Sequence, residues 1–138
     1  MEKKNAVITA IGGHVPEYIL TNEELSNMVQ TSDEWITTRV GIKERRILKG
    51  EGKGTSDMAV KAVEELFRKS GTSPDEVDLL ICATVTPDRI FPATANIISD
   101  KCDIRSAHSF DLNGGCSGFL YALDTAARFV ESGNKKKV

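Results

Sequence analysis

Apolar residues occur at strand-like and helix-like spacing in alternation along the chain. Asn5 to Val15 is rich in β-branched residues and is broken by Gly12-Gly13, which is typical of a strand. Residues 79 to 83, Leu-Leu-Ile-Cys-Ala, are continuously apolar and predict a buried parallel strand. A third strand is predicted near Ala107 to Leu112, just before the Gly114-Gly115 turn.

Two short helices are predicted after the first strand. Thr21-Asn-Glu-Glu24 and Thr31-Ser-Asp-Glu34 each place a hydroxyl three residues before a carboxylate, an arrangement that satisfies backbone N–H groups at a helix start. The second of these helices carries Trp35 and Arg39 one turn apart, on the same face.

Longer helices alternate with the remaining strands. One ends before Gly71 and has an apolar face at helical spacing, formed by Met58, Ala59, Ala62, Val63, Leu66 and Phe67. Others are predicted over Ala93 to Cys102 and from Ser117 to about Val130, and Ser73-Pro-Asp-Glu76 is a further capping box. The order β, α, β, α, β, α predicts an α/β fold with a largely parallel sheet flanked by helices.

Composition is that of one soluble globular domain: 138 residues, 40% hydrophobic and 28% charged. Its net charge of -2 gives no overall attraction for nucleic acid or acidic lipid, and no apolar run has the length of a signal core or a membrane span. Three cysteines without CxxC or Cys/His spacing favour a reducing cytoplasm and give no metal site. Residues 135 to 138 read as the entry to another strand, so we expect 1–138 to be an incomplete domain.

Cys116 is the main candidate for chemistry. Gly114-Gly-Cys-Ser-Gly118 places it between a strand and an apolar helix, with glycines where a sharp turn needs them, in parallel with the nucleophile elbow of hydrolases. Free N–H groups at a helix start favour a thiolate and also suit the oxyanion of an acyl transfer. The local pattern equally allows a small, buried and inert cysteine in a tight turn.

The other candidate groups are weaker. Cys82 lies inside an apolar strand and Cys102 ends a helix, so both are expected to be structural. His14 and His108, the two histidines, stand in no recognisable relation to Cys116 and are also expected to be structural. No partner that would complete catalysis is therefore identified.

The segment from Arg39 to Lys53 is basic and glycine-rich. Such a run is usually a solvated surface, but beside a tryptophan it also suits a ligand that has phosphates and a flat base. A phosphate-binding loop is excluded, because no Gly-Lys-Ser/Thr follows a glycine at the required spacing.

Three motifs in order resemble β-ketoacyl-acyl-carrier-protein synthase III, a condensing enzyme family. They are Asp33-Glu-Trp-Ile-Thr-Thr-Arg-Val-Gly-Ile-Lys-Glu-Arg-Arg46, Phe91-Pro-Ala, and Asp111-Leu-Asn-Gly-Gly-Cys-Ser-Gly-Phe119. The resemblance implies a thiolase-like fold of two similar α/β halves, of which this chain is most of the N-terminal one. Val40 stands where the family often has threonine.

The resemblance also implies roles for individual residues. Cys116 would be acylated by acyl-CoA, and its backbone N–H would contribute to the oxyanion hole. Trp35 would stack on the adenine of coenzyme A, Arg39 would contact its phosphates, and Thr31 would hydrogen-bond nearby. Phe91 would lie at a homodimer interface and reach the acyl pocket of the other subunit. The family's catalytic histidine and asparagine would lie in the missing half.

The implied reaction is the initiation of fatty-acid synthesis by condensing acyl-CoA, expected to be acetyl-CoA, with malonyl-acyl carrier protein. Coenzyme A is then a substrate, and no cofactor or metal is expected. Two alternatives remain open: a synthase III-like relative that makes quinolone, polyketide or long-chain ketone products, and a catalytically silent fragment that acts only in folding or dimerisation.

Overall fold

A computed structural model describes residues 4–138. The helices are α1 (Asn22–Ser26), α2 (Asp33–Val40), α3 (Thr55–Ser70), α4 (Thr94–Lys101) and α5 (Gly118–Glu131). The strands are β1 (Ile19–Thr21), β2 (Glu44–Arg46), β3 (Leu79–Ala83) and β4 (His108–Leu112). Single 3-10 turns cover Pro74–Glu76 and Gly115–Ser117. Within the described range, no helix is both long enough and apolar enough to cross a membrane.

The chain divides into two compact units. The small unit is Val15–Lys53, and the large unit combines the residues up to His14 with Gly54–Val138. Cys116 and Phe91 belong to the large unit, whereas Trp35 and Arg39 belong to the small one.

The small unit contains a two-stranded antiparallel sheet that the sequence analysis did not predict. β1 pairs with β2, with Ile19 opposite Arg46 and Thr21 opposite Glu44. Each strand has three residues and β2 is entirely charged, so neither has the alternating apolar pattern of a longer strand.

The two predicted helix starts in the small unit differ in outcome. Thr21 caps α1 as expected, since its Oγ1 accepts a hydrogen bond from the Glu24 N–H at 3.1 Å. The predicted start at Thr31 is one residue early, because Ser32 is the cap of α2 and its Oγ accepts from the Trp35 N–H at 3.1 Å. Both residues of the Thr-Ser pair carry a hydroxyl, and the backbone path decides which one reaches a free N–H.

The large unit is built on a parallel strand pair, as predicted. β3 and β4 run side by side with Leu79 opposite His108 and Cys82 opposite Asp111. Helix α4 covers this pair, and its Ala95 and Ile98 form a buried cluster with Cys82. The α/β order of these elements is therefore confirmed.

The predicted helices of the large unit are also confirmed, with small changes at their ends. α3 ends at Ser70, and the Gly71 that follows adopts the left-handed conformation. α4 lies between Ala93 and Cys102, and α5 starts at Gly118, one residue later than expected. The capping box at Ser73 produces only one 3-10 turn, with the Ser73 N–H donating to Glu76 Oε1 at 2.9 Å.

Two strand predictions are wrong for the structure as described. Residues 5 to 15 are irregular, because no segment among residues 4–138 forms a hydrogen-bond ladder with them. Residues 135 to 138 are not a strand either, although the Asp78 N–H donates to the Lys137 carbonyl at 2.9 Å. A strand needs a repeated ladder of backbone bonds, and β-branched or extended sequence alone does not supply the partner.

Candidate functional site

Cys116 lies in the connection between β4 and α5. The strand ends at Leu112, a single 3-10 turn holds the cysteine, and the helix begins at Gly118. Its side chain is exposed to solvent. The predicted strand-to-helix elbow is confirmed in its backbone path. The exposed thiol fits a nucleophile better than a buried cysteine, and that role stays a prediction.

Two glycines make this turn possible. Gly115 has a φ of +55°, in the left-handed region where a side chain is strained. A Cβ on Gly114 would lie 2.7 Å from Tyr121 Cδ2 and 2.9 Å from Gly118 Cα, both closer than van der Waals contact allows. The tight path of the elbow therefore requires these residues rather than merely tolerating them.

The other two thiols have a different environment, as the sequence predicted. Burial raises the pKa of Cys82 to about 11, and the charges of Asp111 and Asp88 add to this effect. Burial also raises the pKa of Cys102, which is half-buried. Of the three free thiols, Cys116 is the one that is exposed, which suits the predicted role of nucleophile.

His108 lies too far along its strand to act as a base for Cys116. His108 is exposed and occupies the first position of β4, whereas Cys116 follows the end of that strand. Four residue steps along a strand extend over about 13 Å, far beyond hydrogen-bond reach. In the part of the chain that is described, no three His, Cys, Asp or Glu side chains are grouped to hold a metal ion.

Asp111 anchors the strand that leads to Cys116, a role that sequence reasoning missed. Its carboxylate accepts hydrogen bonds from the first N–H groups of α4, from Thr94 at 2.8 Å and from Ala95 at 2.7 Å. The cap position of α4 is Ala93, which has no acceptor of its own. An apolar residue at the cap position leaves the first N–H groups of the helix without a local acceptor, and this was the signal in the sequence that a more distant side chain must accept from them.

Phe91 lies in the loop between β3 and α4 and is 85% exposed. The base of that loop is fixed by Asp88, whose backbone N–H donates to Thr94 Oγ1 at 3.0 Å and whose Oδ1 accepts from the Ser56 N–H at 3.0 Å. An exposed phenylalanine on a fixed loop suits the predicted contact with a partner or an acyl group, and that role stays a prediction.

In the small unit, α2 presents the tryptophan and the arginine together. The Arg39 guanidinium carbon lies 5.7 Å from the centroid of the Trp35 ring, and the side chain of Trp35 is 58% exposed. An open surface pocket of about 300 Å³ is lined by Ser32, Glu34, Trp35, Thr38 and Arg39. Thr31 precedes this helix and does not line the pocket.

Several cations of the basic segment from Arg39 to Lys53 have partners within the small unit. The Arg45 guanidinium donates to Asn22 Oδ1 at 2.9 Å, and that of Arg46 donates to the Pro16 carbonyl at 3.2 Å. Lys49 lies over the ring of Tyr18. These contacts stabilise the small unit. Arg39 is the cation among the residues that line the pocket.

Comparisons with known proteins agree with this geometry. The family model described as 3-oxoacyl-[acyl-carrier-protein (ACP)] synthase III matches residues 110–138, which include the Cys116 turn. Beta-ketoacyl-[acyl-carrier-protein] synthase III 2 of Bacteroides thetaiotaomicron is 58% identical over 138 residues, which is 100% of this chain and 41% of that protein.

Solved structures have the same fold. The 3-oxoacyl-[acyl-carrier-protein] synthase III of Aquifex aeolicus superposes with a TM-score of 0.85 at 46% identity, over 91% of this chain and 40% of that one. The priming beta-ketosynthase of the R1128 polyketide pathway superposes with a TM-score of 0.89 at 31% identity, over 97% of this chain and 40% of that one. The thiolase-like α/β class is confirmed, and the chain spans about two fifths of the length of the relatives that it matches.

Proposed function

This chain belongs to the β-ketoacyl-acyl-carrier-protein synthase III family, and on that premise we propose that it carries the acyl-accepting nucleophile of a condensing enzyme that initiates fatty-acid synthesis. The observation that carries the proposal is the exposed Cys116 thiol on a glycine-built turn at the start of α5. The substrates would be acyl-CoA, with acetyl-CoA first among them, and malonyl-acyl carrier protein.

In the first stage, the Cys116 thiolate attacks the thioester carbonyl of acyl-CoA. A new carbon–sulfur bond forms to Cys116, the bond to coenzyme A breaks, and coenzyme A leaves as a thiolate that takes up a proton. The Cys116 backbone N–H, near the positive end of α5, is suited to the oxyanion that forms on the carbonyl oxygen.

Binding of acyl-CoA is assigned to α2 of the small unit. The exposed ring of Trp35 offers a surface for the adenine, and Arg39 beside it offers a cation for the phosphates. Thr31 is assigned a nearby hydrogen bond, although it is not among the residues that line the pocket.

In the second stage, malonyl-acyl carrier protein loses CO₂, and the resulting carbanion attacks the acyl-Cys116 thioester. A carbon–carbon bond forms, the bond between the acyl carbon and the Cys116 sulfur breaks, and Cys116 leaves as a thiolate ready for the next acyl group. The β-ketoacyl product stays on the carrier protein. The histidine and asparagine that this stage needs are assigned to residues outside this chain, so 1–138 is proposed to be the N-terminal part of a longer, cytoplasmic, homodimeric enzyme without cofactor. Phe91 is assigned to the dimer contact and acyl pocket.

The test is covalent labelling of the full-length enzyme with radioactive acetyl-CoA. The Cys116→Ala variant is expected to take up no label, whereas Cys102→Ala, which removes a half-buried thiol from the same unit, is expected to keep it. Label retained by Cys116→Ala would refute the assignment of the nucleophile.

A second candidate function is the priming of polyketide synthesis. It is favoured by the likeness to the R1128 priming ketosynthase, at 31% identity. The two functions differ in their primer and carrier protein, so condensation rates with the fatty-acid and polyketide carrier proteins separate them. The isolated 138 residues are expected to form no product, which the same assay measures.

A further inference from the structure

Helix α2 has few apolar contacts to fix its orientation. It contains eight residues, and Ile36 is its one buried side chain. A helix of two turns is unstable by itself in water, so its position depends on contacts with the rest of the unit. For a helix that carries both Trp35 and Arg39, those contacts decide where the pocket lies.

Asn22 connects α2 to the rest of the small unit by hydrogen bonds. It is the first residue of α1, and it is only 2% exposed. Its Nδ2 donates to Asp33 Oδ1 at 2.7 Å and to the Ile42 carbonyl at 2.8 Å. Asp33 is the first residue of α2, and Ile42 follows the Gly41 that ends it. One buried amide therefore contacts both ends of the helix.

The side-chain amide of Asn22 is also hydrogen-bonded to Arg45 in β2. Asn22 Oδ1 accepts from Arg45 Nη2 at 2.9 Å, and Arg45 Nη1 also donates to the Leu20 carbonyl at 3.3 Å. Leu20 and Arg45 are opposite each other in the β1–β2 ladder. The contact network thus runs from the two-stranded sheet through Asn22 to α2.

The carboxylate of Asp33 completes the arrangement. It also accepts from Thr37 Oγ1 at 3.3 Å, one turn along α2. The hydrogen bond from Asn22, with smaller contributions from Lys43 and Thr37, lowers the pKa of Asp33 against the effect of burial. Asparagine fits this place because it has two N–H donors and an acceptor, and all three are used.

We propose that Asn22 is a positioning residue for acyl-CoA recognition: its side chain fixes both ends of α2 and thereby the joint placement of Trp35 and Arg39. The proposal rests on the function assigned above. Asn22 itself is buried and is not among the residues that line the pocket. Its loss should weaken the binding of coenzyme A without altering the chemistry at Cys116.

The experiment uses the full-length enzyme with the variants Asn22→Ala and Asp33→Ala. Asp33→Ala removes the hydrogen bond between Asn22 and Asp33 by changing the exposed partner. It therefore remains informative if Asn22→Ala fails to fold. We expect the Kd for coenzyme A and the KM for acetyl-CoA to rise at least threefold in Asp33→Ala, and further in Asn22→Ala. We expect kcat and the rate of Cys116 alkylation by iodoacetamide to stay within twofold.

Ser99→Ala is the matched control. It removes a buried polar side chain of the large unit, which shares a 2.7 Å hydrogen bond with Ser109, and KM should not change. An unchanged Kd in folded Asp33→Ala and Asn22→Ala would overturn the proposal. So would a fall in kcat at constant KM in folded Asp33→Ala, since a residue that positions the binding helix should act on KM.

Trp35→Ala, measured in parallel, separates this inference from the function on which it rests. If Trp35→Ala weakens coenzyme A binding while the Asn22 and Asp33 variants do not, only the positioning role is refuted. If Trp35→Ala leaves binding unchanged, the coenzyme A site is not on α2, and both proposals fail.

Discussion

Arg39 lies over the ring of Trp35, with its guanidinium carbon 5.7 Å from the ring centroid. The two residues are one helical turn apart on α2, so the helix places a cation and an aromatic surface side by side. A ligand that has both phosphates and a flat base would use the two groups together. This pairing is the basis of the first prediction.

Trp35→Ala is expected to raise the KM for acyl-CoA on the order of tenfold, because a stacked base contributes roughly 1–3 kcal/mol by alanine substitution. Steady-state kinetics with acetyl-CoA measure the change. Trp35→Phe retains an aromatic surface and should recover most of the loss, and kcat should be unaffected in both variants. A KM that does not move in Trp35→Ala would remove the tryptophan from the site.

Cys116 and Cys82 should differ sharply in reactivity. At pH 8, a thiol with the pKa of Cys82, about 11, has on the order of one thousandth of its molecules as thiolate. Brief treatment of the native protein with iodoacetamide, followed by peptide mapping, should find alkylated Cys116 and unmodified Cys82. Equal labelling in urea is the control for intrinsic reactivity, and fast native labelling of Cys82 would contradict the structure.

The elbow should not accept a side chain at Gly114. The added Cβ of Gly114→Ala would meet Tyr121 and the backbone of Gly118 at under 3.0 Å, so the turn must shift and carry Cys116 with it. We expect slower acylation of Cys116 and a lower Tm. Gly13→Ala is the matched control, because nothing lies within 4 Å of the Cβ that it adds. If both variants behave like the parent, the close packing at Gly114 is not required.

Asp111 should matter for stability, although it does not belong to the reacting atoms. Asp111→Ala leaves the Thr94 and Ala95 N–H groups at the start of α4 without their carboxylate, and loss of a helix cap costs about 1–2 kcal/mol. Urea unfolding measures the difference. Asp103→Asn changes an exposed carboxylate that is paired with Arg105, and it should stay within roughly 0.5 kcal/mol of the parent.

Acid should weaken the hydrogen bonds that join Lys136 and Lys137 to Asp78, the residue before β3. Backbone hydrogen bonds from Lys137 and Lys136 lower the pKa of Asp78 from its usual 3.8. Because the folded-state pKa is the lower one, this contribution to stability is present above pH 3.8 and is lost as the pH falls below it. Hydrogen exchange of the Lys136 and Lys137 amides should accelerate, relative to the intrinsic rate, as the pH falls below about 4.

Asp78→Asn is the matched variant for this prediction. Its amide oxygen still accepts from the same N–H groups but does not titrate, so protection of these two amides should no longer depend on acid. If amide exchange in the parent protein were equally independent of pH, ionisation of Asp78 would not determine the protection of Lys136 and Lys137.

Much of the large unit was predicted from sequence, because its elements carry strong local signals. The continuous apolar run of β3, the helical spacing before Gly71 and the glycines around Cys116 each act within a few residues along the chain. The small sheet of β1 and β2 was not predicted, since three-residue strands have too little pattern to detect. Residues 5 to 15 were assigned to a strand for their β-branched content, and the structure gives them no ladder partner.

The sequence by itself determined the turn that holds Cys116 and the adjacency of Trp35 and Arg39, because a glycine turn before a helix and a Trp–Arg pair one turn apart depend only on neighbours along the chain. The roles of these residues stay predictions. Tertiary structure decided which groups support them. Asn22 reaches Asp33 and Ile42, and Asp111 reaches the start of α4, across 11 to 20 residues of intervening chain. Such hydrogen bonds satisfy buried polar groups wherever the fold brings them, so spacing along the sequence does not reveal them.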